Sequence, residues 1–164
     1  MTQTLPAVAH DHHQRLMRHV DELPAMGDRI GTTPITELLP LVHEMAAFLT
    51  GTLIPHMEAS ERTLYPELER MLQNRHSMTP MRREHAEVRH LVEGFVRIQK
   101  DLDEGHVSTG EAVALRRVVF RLYALMKIHL AEEQLYLGTL EHGVSAEVAE
   151  ALAAAMEHAG STDA

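Results

Sequence analysis

The chain reads as an all-α protein, an up-down-up-down four-helix bundle with a short C-terminal helical tail, on three observations. Ala, Leu, Met, Glu and Arg dominate the 164 residues, and β-branched residues never alternate with polar ones for long, so helix is expected almost throughout. Breakers gather at Pro24 to Pro34, Asn74 to Pro80 and Asp103 to Gly110, which divides the chain into four helices. Connections this short favour an up-down-up-down arrangement.

The first helix is expected over residues 5–23, where His13, Leu16, Met17, Val20 and Leu23 form one apolar stripe that carries His13 and leaves His12 and His19 off it. The second is expected over 34–73, opened by Thr33 as a capping hydroxyl ahead of Pro34. It presents Leu49, Leu53 and His56 on one side. Pro55 and Pro66 lie inside it, each removing a backbone donor and crowding the carbonyl four residues back, so bending or a break is expected there.

The third helix, over 80–104 behind Thr79 and Pro80, puts Met81, His85, Val88, Val92, Phe95 and Gln99 on one face, with His85 pointing inward. The fourth, over 110–141, is preceded by Ser108 and Glu111 at capping-box spacing. Its stripe is Leu122, Leu125, Met126, His129, Glu133, Tyr136 and Leu140, which aims a histidine, a glutamate and a tyrosine into the core. Ser145 caps a short stretch to 158, so residues 1–144 form the bundle and 145–164 a helical or disordered tail.

Composition narrows the function. With 45% hydrophobic residues the chain suffices for one domain with a core. The absence of cysteine removes disulfides and thiolate ligands, so any metal must be held by nitrogen and oxygen. A net charge of −9, with arginines scattered as Arg82-Arg83 and Arg116-Arg117, argues against a nucleic-acid partner. No leader pattern and no run of eighteen apolar residues is found, so no membrane partner and a soluble, cytoplasmic protein are expected. Thirteen histidines ask for an explanation, and metal binding is the leading one, with His10, His106, His142 and His158 read as solvent-exposed. Every helix donates one inward histidine, namely His13, His56, His85 and His129, and a buried Glu133 needs a cationic partner.

Four segments, Asp11 to Leu16, His56 to Pro66 with its Leu-Tyr-Pro ending, Arg83 to Val88 and His129 to Tyr136, resemble the hemerythrin-like, or HHE cation-binding, domains over residues 8–141. The resemblance implies a non-haem di-iron pair inside a four-helix bundle, held by one histidine of the first helix, His-x3-Glu of the second, His-x3-His of the third and His-x3/4-Glu/Asp of the fourth. Carried onto this chain, it gives His13, His56, His85, His129 and Glu133 as ligands. Two positions depart from the pattern. Ser60 stands four after His56, so Glu61 reaches the site only if the backbone is locally overwound or bulged, with Glu58 the lesser substitute. Met81 and Arg89 flank His85 where a second histidine is expected, leaving Glu84 and His90 as replacements, both read as facing solvent. Tyr136 either binds or hydrogen-bonds a ligand, or is plain core, and His12 is a further outer candidate.

The expected function is a metal-binding protein, with iron ahead of zinc and manganese, that binds, senses or detoxifies dioxygen, peroxide or nitric oxide; a sensing role needs a protein effector. The alternative is a metal-degenerate bundle acting as an interaction module. A mononuclear zinc hydrolase is the third reading, unsupported by any nucleophile motif.

Overall fold

The computed structural model describes residues 5–106, 108–140 and, beyond them, Val148, Glu150, Ala151 and Ala154. Its architecture is all-helical: α1 (Leu5–Arg29), α2 (Ile35–Met71), α3 (Thr79–Asp103) and α4 (Thr109–Leu140), with no strand among the described residues. α1 packs along α4, α4 along α3, α3 along the first part of α2, and α2 returns to α1.

α1 runs past Pro24 to Arg29, six residues beyond the expected end. Losing one backbone hydrogen bond is outweighed by continuing the buried stripe through Leu23, Met26 and Ile30. Gly31, at φ +92°, then turns the chain. Neither threonine caps as the sequence suggested. Pro34 itself occupies the cap of α2, in extended conformation, while the Thr33 amide bonds back to the Arg29 carbonyl. Thr79 lies in the first turn of α3, where no side chain caps. The capping box of α4 is formed: the Ser108 amide donates to Glu111, 2.6 Å, and the Glu111 amide to Ser108 Oγ, 3.2 Å.

α2 is the irregular element. It is interrupted by two π turns, Leu49–Leu53 and Ser60–Leu64, each followed by a regular segment with proline in its first turn, Pro55 and Pro66. Widened turns remove the clash between a proline ring and the carbonyl four residues back, and the amides of Ile54 and Tyr65 donate five residues back, to Leu49 and Ser60. Thr50 and Thr63 hydroxyls donate to the carbonyls of Ala46 and Ala59, 2.8 and 2.7 Å.

By length and composition α2 passes for a membrane span, with mean hydropathy 1.3. Its apolar residues Leu38, Val42, Met45, Leu49 and Leu53 are buried in the bundle. Two apolar clusters fill the interior. The larger runs from Ile30 and Leu102 to Leu16, Met57, Val88 and Leu130. The smaller joins Leu64, Tyr65, Leu68, Met78, Met81, Leu137 and Leu140, with Val148 against it. Apart from the helical Val148, Glu150, Ala151 and Ala154, the expected tail lies outside the described residues.

Candidate metal centre

A polar layer separates the two clusters. On α4 it consists of His129 and Glu133, between Met126 and Leu137; on α3 it is His85, between Val88 and Met81. α2 contributes His56 and α1 His13, and all five side chains are buried. They form two groups that share Glu133: His13, His56 and Glu133, and His85, His129 and Glu133, with the ligand atoms of each group within 4.8 Å of one another. Glu133 Oε2 lies 3.0 Å from Nε2 of both His13 and His56, while Oε1 is buried without a partner. Nε2 of His85 and Nε2 of His129 are 2.9 Å apart.

The outer edges of the rings explain this geometry. His85 Nδ1–H donates to Glu61, 2.7 Å, and His129 Nδ1–H to Glu84, 2.9 Å. His13 Nδ1–H donates to the Gln134 carbonyl oxygen, 3.2 Å. These oxygens only accept, so the ring proton sits on Nδ1 and each Nε2 turns a lone pair inward. The fourth ring, His56, meets His12 Nε2 at its Nδ1, 2.9 Å. Lone pairs of His85 and His129 therefore face each other, and that of His13 faces the Glu133 oxygen that His56 Nε2 also meets. Such contacts repel unless a cation lies among them, so nitrogen and oxygen donors of this kind fit a metal ion.

Burial alone pushes Glu133 up, but the His56 and His13 imidazoles hold it well below the usual carboxylate range. Burial lowers His56 and, with His129 beside it, takes His85 down to about 4. Partial burial raises Glu61, and Arg89 and His85 outweigh it, holding the group ionised; Arg89 donates to it at 2.8 Å.

Tyr65 was not among the expected site residues. Its hydroxyl, buried under the centre, donates to His85 Nε2 at 3.0 Å, and the ring stacks on His85 at 5.3 Å between centroids. Burial and the charge of Glu133 push the phenol well up, keeping it protonated unless a cation displaces the proton. Tyr65 stands nine residues after His56, about 180° away on a regular helix; the additional residue of the π turn sets it back by about 100°. The same turn brings Glu61 round to His85, although Glu61 meets the outer edge of that ring and not the inward lone pairs.

Other expected candidates are placed differently. Glu58 is exposed, and His90 is exposed on a groove with Arg97 and Arg121. Tyr136 packs, half-buried, on the smaller cluster. Glu84 and His12, read as off the apolar faces, instead hold the outer edges of His129 and His56. Gln134 had no signal beyond standing next to Glu133. Ser60 is buried with its hydroxyl unpartnered, and Met81 is core.

A helical bundle in which two imidazole groups share one buried carboxylate has the donor set of a cation-binding helical protein. Residues 5–140 match the model of the hemerythrin HHE cation binding domain, and the chain belongs to that family. No curated protein and no solved structure matches it significantly.

Proposed function

We propose that the chain is an up-down-up-down four-helix bundle of hemerythrin type that holds a dinuclear non-haem centre, with iron favoured, and meets dioxygen, peroxide or nitric oxide there. The observation that carries this is the pair of groups sharing Glu133, into which His13, His85 and His129 turn their Nε2 lone pairs. His13 and His56 would hold one ion and His85 and His129 the other, with Glu133 common to both groups, and Tyr65 would ligate or hydrogen-bond. Bound iron would supply redox chemistry and open coordination positions for a small ligand. The protein's own part is to fix the rings through Gln134, Glu61, Glu84 and His12 and to keep the layer dry between apolar clusters.

A second reading, a metal-degenerate interaction module, draws on Ser60 and Met81, which occupy positions where the family places ligands. Elemental analysis of untagged protein, with its visible spectrum, decides between them. About two metal ions per chain, falling below one in His129→Ala, is the expected result. Metal that reconstitution cannot raise favours the interaction module, and full retention in His129→Ala removes His129 from the site.

A further inference from the structure

A pocket of about 210 Å³ opens between α1 and α2, lined by His12, Arg15, Arg18, His19, Thr52 and the Phe48 ring that stacks on His19 at 4.5 Å. On a chain of net charge −9 this wall is cationic. Glu22 reaches His19 at 3.7 Å, and among the described residues no carboxylate pairs with Arg15 or Arg18. His12 connects the pocket to the metal centre: it is buried, its Nε2 lies 2.9 Å from His56 Nδ1, and its own Nδ1 has no partner.

Tautomers make that orphan informative. A cation on His56 Nε2 leaves the His56 proton on Nδ1, where it donates to His12 Nε2. His12 must then carry its proton on Nδ1, as a buried donor with nothing to receive it, an arrangement proteins avoid. An acceptor in the adjoining pocket would resolve it.

We propose that this pocket is a binding site for a small oxyanion of formate to phosphate size, held by Arg15 and Arg18, with His12 Nδ1–H and the Thr52 hydroxyl as further donors. The coupling to the centre rests on the metal reading above: a cation on His56 and an anion beside His12 favour the same tautomer chain, so each tightens the other without gain or loss of a proton.

Isothermal titration of the full chain with formate and with inorganic phosphate, in low-chloride buffer, tests this, with metal content measured on the same samples. Saturable binding of one anion per chain is expected. Arg15→Gln/Arg18→Gln, both at exposed positions, should weaken it about tenfold or more, while the equally exposed control Arg83→Gln/Arg117→Gln leaves it unchanged. Removing the metal with a chelator should weaken it by about fivefold. The site is overturned by unsaturable binding, by equal weakening in both double variants, or by full binding in Arg15→Gln/Arg18→Gln, which would put the anion on the metal. Protein that takes up no metal even on reconstitution, yet binds the anion through Arg15 and Arg18, sinks the metal reading and supports the pocket.

Discussion

At the scale of single residues, the site depends on which edge of each imidazole is occupied. Glu61, Glu84 and Gln134 take the Nδ1 protons, and this aims three Nε2 atoms, beside that of His56, toward the shared Glu133. Removing one such partner should loosen a ring without removing a ligand. Glu84→Gln keeps an acceptor and should be mild, whereas Glu84→Ala should cut metal affinity about 10- to 100-fold, read by competition with a chromophoric chelator; equal affinity in Ala and wild type would refute the role. Tyr65→Phe separates ligation from packing. The ring stays stacked on His85 and only one hydroxyl hydrogen bond goes, so stability should fall by about 1 kcal/mol in denaturant melts. Loss of a tyrosinate band with metal content intact would make Tyr65 a ligand. An unchanged spectrum confines it to hydrogen bonding.

At the scale of elements, α2 decides what could be read in advance. On α1, α3 and α4 the regular helical phase holds, so the stripes through His13, His85, His129 and Glu133 point where the structure has them. Past Ser60 the phase slips by one residue, which buries Tyr65 beneath His85 and brings Glu61 to the outer edge of that ring, positions that regular helical periodicity does not give. Gln134 was illegible, and His12 and Glu84 were legible as outer candidates but not in the rings they hold, for another reason: each stands beside an inward residue in sequence and reaches a ring on a different helix, a relation set by packing alone. The π turn and Pro66 should also be energetically coupled. Deleting Ser60 restores a four-residue spacing between His56 and Glu61 and should keep the metal, but it forces Pro66 against the Arg62 carbonyl, at a cost of about 3 kcal/mol. Pro66→Ala in the deletion background should recover most of that loss. Additive effects in this cycle, measured by chemical denaturation, would show that the turn does not exist to accommodate the proline.

At the scale of the whole molecule, the centre is a polar layer closed above and below by apolar clusters, and the larger cluster is complete without it. Stripping the metal should therefore leave the helices formed and remove stability from the layer. If the native state alone binds the ion, at a free concentration a thousandfold above Kd, the stabilisation is about 4 kcal/mol. For a chain of this length that corresponds to a Tm lower by roughly 8–16 °C on chelation. Far-ultraviolet circular dichroism melts with and without chelator read both quantities, and the expected outcome is an unchanged starting spectrum with an earlier transition. Coincident melts from protein shown to contain metal would mean the ion binds folded and unfolded chain alike. Coincident melts from metal-free protein would mean that the inward lone pairs are relieved by protonation or water, and the interaction-module reading would then lead.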